Sequence, residues 1–279
     1  MTPEGCPDQD PARLPTVRLA VLMLRLPSRL VAALLPILLA GCTATTTGPT
    51  SGDGSAGLSG VVRPAGAPTD ELHWIRSSAE YRAISIQTYR LALEAASKLS
   101  AGRAPGTWGV SLDADETVLD NSGYELELQK RGAVHTDEAW FAWVKRRERT
   151  AVPGAKTFLE GLRALGGRAA IVTNTQQSLC ADVAANLASL GLPYDLLVCR
   201  PDGGADRKEG RWKAVADGTA RPDLGPVELL LFVGDNIQDF PGQSQALRDG
   251  DDGAFASFGV RWFVLPNPVY GTWEKNAPR

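Results

Sequence analysis

Two carboxylates separated by one residue, Asp113 and Asp115, stand in the segment Asp113-Ala114-Asp115-Glu116-Thr117, and two more, Asp235 and Asp239, follow Gly234 far along the chain. Between them come a hydroxyl–amide pair, Thr173-Asn174, and a basic stretch holding Lys208 and Arg211. Magnesium takes hard oxygen ligands, usually one or two carboxylates with water and substrate phosphate filling the shell. Asp113 and Asp235 are the carboxylates for that task. A carboxylate can also attack phosphorus and form an acyl phosphate that water then cleaves. A second carboxyl two residues on, Asp115, is spaced to protonate the leaving oxygen and afterwards activate the water. Lys208 would bring positive charge to the transferred group and Thr173 a hydroxyl donor, with Asn174 beside it. Lys213 is a rival for the lysine role. Each residue has a plainer explanation when taken alone: an Asp behind an apolar run is commonly a turn or cap residue, Thr-Asn can cap a helix, and a Lys in a polar stretch is usually solvated. The order in which they occur argues against that explanation.

These residues need a scaffold that carries them to one place. Short apolar runs at 108–112, 169–172, 196–198, 229–233 and 260–265 read as buried strands, and helical patterns separate most of them. Such alternation predicts an α/β fold, a Rossmann-like parallel sheet flanked by helices. Ligands of open α/β sheets sit beyond the carboxyl ends of the strands, which is where Asp113, Thr173 and Asp235 fall. A long helix is expected from Thr69 or Asp70 to about Ser100, with Leu72, Ile75, Ala79, Ile86, Tyr89 and Leu93 along one stripe. Helices are expected at 136–149, capped by Thr136, and from Pro153 to the Gly166-Gly167 stop. The stretch 121–150 interrupts the strand–helix rhythm and predicts a small helical cap, formed with the helix at 69–100.

The chain has 279 residues and a formal net charge of -3, enough for one full core with appendages and no general attraction to nucleic acid. Arg25 and Arg29 precede an apolar run at 30–39 that ends in Leu39-Ala40-Gly41-Cys42. The run is too short to span a bilayer, which takes about 20 apolar residues. It resembles a bacterial lipobox, which implies a signal peptide over 1–41, cleavage before Cys42 and lipid on that residue. Residues 1–22 contain Glu4, Asp8 and Asp10, wrong for a basic leader, so the expected start is Met23. Thr43 rather than Asp behind the Cys points to the outer membrane under the sorting rule of enteric bacteria. Residues 42–68 are rich in Thr, Ser, Gly, Pro and Ala and read as a lipid-anchored flexible tether ahead of a domain at 69–279.

Together these segments resemble the haloacid dehalogenase-like superfamily and, within it, the class C bacterial acid phosphatases, the lipoprotein 5'-nucleotidases of bacterial outer membranes. The resemblance is carried by 113–122 (DADETVLDNS), 151–155 (AVPGA), 172–174, 233–240 (VGDNIQDF) and 265–273 (LPNPVYGTW), with the helix at 74–100, and it spans the chain from Trp74 onward. It implies Asp113 as nucleophile, Asp115 as acid/base and as a Mg2+ ligand through its backbone carbonyl, Asp235 as the third protein ligand, and Asp239 as their supporting partner. It further implies that Trp140 and Tyr270 sandwich a nucleotide base, and that nucleoside monophosphates or other small phosphomonoesters are the substrates. Two departures stand out: Thr175 occupies a position where members commonly carry Arg, and the lysine segment 206–211 matches loosely.

The sequence holds four Cys and two His. Cys180 and Cys199 both fall toward the carboxyl edge of the sheet, as a disulfide or as two buried thiols. His73 and His135 are too few for a His-rich zinc or iron centre, neither sits at a strand end, and no Arg-His-Gly signature of a histidine-nucleophile phosphatase is present. A second class of function is a surface lipoprotein that binds a ligand or partner without catalysis. The presence of Asp113, Asp115 and Asp235 together weighs against it.

Overall fold

The computed structural model of the protein describes residues 66–278. The signal segment, Met23, Cys42 and the tether up to residue 65 lie outside the described residues. Among the described residues no helix is long and apolar enough to cross a membrane.

The long helix expected at the start is two helices, α1 (Asp70–Ser77) and α2 (Ala79–Leu99). Ser78 between them is extended, and its hydroxyl accepts the Tyr81 N–H, so it caps α2 instead of continuing α1. Along α2 the buried residues Tyr81, Ser85, Tyr89, Ala92 and Ala96 recur every three or four positions, a stripe turned to the core. This shifts the expected stripe: Ala79 is exposed and Ile86 and Leu93 are only half-buried.

Five strands, β1 (Trp108–Leu112), β4 (Arg168–Gln176), β5 (Leu196–Arg200), β6 (Glu228–Gly234) and β7 (Trp262–Val264), form one sheet in the order β5-β4-β1-β6-β7. Every pairing in it is parallel. β1 is central and buried throughout. The chain runs outward from it through β4 to β5, then returns to its other side for β6 and β7, so the order reverses between β1 and β6. Between β1 and β4 a two-stranded antiparallel ribbon, β2 (Leu119–Asp120) with β3 (Thr150–Ala151), brackets an excursion carrying α3 (Ser122–Arg131) and α4 (Asp137–Arg146). Thr136 caps α4 as its sequence predicts.

Alternate residues of β4 enter different layers. Ala169 and Ile171 join α2 and α5 (Ala155–Ala164) through Tyr89, Phe158, Leu159 and Leu162. Ala170 and Val172 meet Trp212 and Val215 of α7 (Glu209–Ala216). The Trp212 indole N–H, which would be costly to bury alone, donates to Ser111 Oγ at 2.9 Å. On the β5 side Cys180, the first residue of α6 (Cys180–Ser189), is disulfide-bonded to Cys199 of β5, the first of the two alternatives left by the sequence.

Candidate active site

The end of β1 delivers Asp113, whose N–H donates to the Val233 carbonyl of β6 at 3.0 Å. The chain then turns sharply, with the Val118 and Leu119 N–H groups both donating to the Ala114 carbonyl. Glu116 takes a left-handed conformation (φ 54) that costs a non-glycine residue energy. Its carboxylate is held by Asn121, through the backbone N–H at 2.8 Å and the carboxamide Nδ2 at 3.2 Å. That turn sets Asp113, Asp115 and Thr117 in one loop.

Lys208, just ahead of α7, is almost completely buried. Its Nζ donates to Asp113 and lies 2.7 Å from Asp239 Oδ1. Lys213 is exposed and pairs with Asp217, so of the two rivals only Lys208 reaches the carboxylates. Asp239 sits in a short turn behind β6, where its second oxygen accepts the Asn236 N–H at 2.9 Å. Gly234 makes this approach possible, because a Cβ there would fall on the Asp239 carboxylate. Asp235 accepts from Thr117 Oγ1 at 3.1 Å and from Asn267 Nδ2 at 2.9 Å.

Carboxylate oxygens of Asp113, Asp235 and Asp239 lie within 4.8 Å of one another. One buried ammonium faces three carboxylates, and two of them, Asp113 and Asp235, hold a proton more tightly than usual, burial acting first and neighbouring carboxylates after it. Burial, with help from Asp239 and Asp115 and against Lys208, pushes Asp113 up to about 7. Burial followed by Asp239 and Asp113 raises Asp235 well above the carboxylate range. For Lys208, burial works against the charge, yet Asp113 and Asp239 outweigh it and raise its pKa. An all-oxygen cluster with uncompensated charge is the donor set a hard divalent cation takes.

Asp115 points its carboxylate elsewhere. Oδ1 accepts from Arg149 Nη1 at 3.1 Å and Asn121 Nδ2 at 3.0 Å, and Oδ2 accepts from Thr175 Oγ1 at 2.9 Å. Thr175, noted above as a departure, is therefore a direct partner of Asp115. Asn121 in turn accepts the Trp143 indole N–H at 2.9 Å. No sequence signal marks Arg149 or Asn121 as a site residue, since both flank the β2–β3 ribbon and not the carboxyl ends of the five-stranded sheet. Thr173 is fully buried within β4, directly after the strand's apolar part, its hydroxyl accepting the Thr175 N–H. The exposed Asn174 accepts from Arg211 Nη2 at 2.5 Å, while Arg211 Nη1 donates to the Thr173 carbonyl. Trp140 packs edge-on against Tyr124, 5.4 Å between centroids, with His135 beside it. The Tyr270 N–H points to Asn267, the residue whose amide holds Asp235.

A parallel sheet with carboxylates behind its central strand, a buried hydroxyl on the neighbouring β4 and a buried lysine joined to Asp113 and Asp239 is the arrangement of a hydrolase with the haloacid dehalogenase-like fold. The chain belongs to the HAD superfamily, subfamily IIIB (acid phosphatase), whose family model matches residues 63–273. It is thus a phosphomonoester hydrolase by family. Among solved structures it is similar to the class C acid phosphatase from Bacillus anthracis, with 27% identity, a TM-score of 0.63, and coverage of 73% of this chain and 85% of that one. The same enzyme with tungstate bound matches at 26% identity and a TM-score of 0.61, over the same shares of the two chains.

Proposed function

We propose that the protein hydrolyses 5'-nucleotides and related small phosphomonoesters through an aspartyl-phosphate on Asp113, with Mg2+ as cofactor, at the bacterial cell envelope. The observation that carries the phosphoryl-transfer chemistry is the buried Lys208 pinned between Asp113 and Asp239, with Asp235 close by. When bound by Asp113, Asp235 and the Asp115 backbone carbonyl, Mg2+ supplies positive charge that offsets the phosphoryl oxygens.

The chain's own residues account for the rest. An Asp113 oxygen attacks phosphorus and the bond from phosphorus to the ester oxygen breaks. Asp115 gives its proton to that departing oxygen, which leaves as the alcohol. Water then attacks the phosphorus of the acyl phosphate while Asp115 takes its proton, releasing phosphate and restoring Asp113. Lys208 offsets charge on the transferred group, and Thr173 and Asn174 line the place where it sits. Trp140 and Tyr270 offer aromatic faces for a base, and stacking accepts any base. Support for this substrate class comes from family membership and from those two aromatic side chains.

The test is hydrolysis of nucleoside monophosphates by the purified protein with Mg2+ and again with a chelator. Phosphate release with the metal and its loss with the chelator are expected. Undiminished release in chelator would refute the metal dependence, and no release under either condition would refute the substrate class.

A further inference from the structure

Arg149 sits at the end of the α3–α4 excursion, remote in sequence from every strand-end motif, and its side chain is fully buried. Three hydrogen bonds lock it to Asn186 of α6: the Arg149 N–H and Nε both donate to Asn186 Oδ1, at 3.2 and 3.0 Å, and Asn186 Nδ2 donates to the Arg149 carbonyl at 3.0 Å. From that anchorage Nη1 reaches Asp115 Oδ1 at 3.1 Å. As a stabilising device the arrangement is poor. A buried guanidinium is costly to desolvate, replacing a buried ion pair by apolar groups is often harmless, and Arg149 Nη2 is buried without a hydrogen-bond partner. What the arrangement does provide is a fixed direction for one carboxylate.

The two oxygens of that carboxylate are treated differently. Oδ1 meets Arg149 Nη1 and Asn121 Nδ2, groups that donate and cannot accept, so a proton on Oδ1 would be opposed from both sides. Oδ2 meets the Thr175 hydroxyl, which can donate to a carboxylate or rotate and accept from a carboxylic acid. We propose that Arg149 is a positioning residue: anchored on Asn186, it fixes Asp115 with Oδ1 turned to the protein and leaves Oδ2 as the oxygen that gives its proton to the leaving group and later takes one from water. The proposal rests on the acid/base role of Asp115 argued above and adds the residue that aims it.

Leaving-group chemistry separates this role from a merely structural one. A nucleoside alkoxide needs a proton to depart, whereas p-nitrophenolate leaves without one. The measurement is kcat/KM on a nucleoside monophosphate and on p-nitrophenyl phosphate, for the wild type, Arg149→Leu, Arg149→Lys and Asp115→Asn. Loss of a positioned proton donor lowers rates about 10²–10⁴-fold. Arg149→Leu is expected near the lower end on the nucleotide and to lose only a few-fold on the aryl ester, changing the ratio in the direction Asp115→Asn changes it. Arg149→Lys keeps a cation but cannot hold Asn186 and Asp115 together, and falls between. If Arg149→Leu does not fold, Arg149→Lys carries the test by the same ratio. Equal losses on both esters in the Arg149 variants, with Asp115→Asn still discriminating, overturn the proposal alone. If Asp115→Asn does not discriminate either, the acid/base role fails and the proposal falls with it.

Discussion

Lys208 lies within reach of two carboxylates, and a third, Asp235, is close enough to share one cation with them. The charge left over gives a prediction about pH. Burial raises Asp113 from its ordinary 3.8 to about 7, and Asp235 moves the same way. An acid whose pKa is higher in the folded state binds more protons folded than unfolded, so its stabilising contribution is full below about 3.8 and is lost as pH rises through about 7. With a chelator present, the thermal midpoint should therefore fall between those values. The gain in midpoint on adding Mg2+ should grow over the same interval, because a bound cation favours the ionised carboxylates. Calorimetry across that range checks it, and a gain independent of pH would contradict the assignment of the cluster. At this scale the sequence was informative where a residue directly follows the apolar run of a sheet strand, as Asp113, Thr173 and Asp235 do. It was silent on Arg149 and Asn121, whose partners are fixed by tertiary packing across the α3–α4 excursion and α6. Spacing could not choose between Lys208 and Lys213. Burial could, because Lys208, just ahead of α7, is buried against the carboxylates while Lys213, within α7, is exposed.

Among the elements, apolar runs located all five strands of the sheet but misjudged their lengths. β4 continues past its apolar part to Gln176, because Thr173 and Thr175 are buried by partners in the site. At the far edge β7 keeps only Trp262–Val264 of the expected 260–265, with Val260 and Val264 exposed, since an edge strand has a neighbour on one side only. The division of the first helix at Ser78 could be read only in retrospect, as a serine three residues ahead of the Tyr81 N–H it caps. The Cys180–Cys199 disulfide ties α6 to β5 across a sequence separation of 19. A crosslink closing a loop of that length stabilises by about 3 kcal/mol, chiefly by restricting the unfolded chain. The double variant Cys180→Ser, Cys199→Ser should lose roughly that much in denaturant unfolding. It should keep its turnover, because neither cysteine touches the carboxylates. Unchanged stability would show that the bond is not formed in the protein.

For the molecule as a whole, the amino-terminal pattern sets the proposed location. If Cys42 is lipidated, cells expressing the protein and fed labelled palmitate should yield a labelled band that partitions with membranes. Cys42→Ala should abolish both, and labelling that persists in that variant would remove the anchor from the account. The fold, the family and the phosphomonoester chemistry stand apart from where the protein is held, and the proposed mechanism rests on a single oxygen nucleophile, Asp113. The most direct test is therefore covalent: brief mixing with phosphate-labelled substrate, denaturing quench, and mass spectrometry of the peptide around Asp113. The account predicts a phosphoryl adduct on Asp113 that hydroxylamine removes, and its absence in Asp113→Asn together with turnover reduced by several orders of magnitude. An Asp113→Asn protein that hydrolyses substrate like the wild type, or an adduct on another residue, would contradict it.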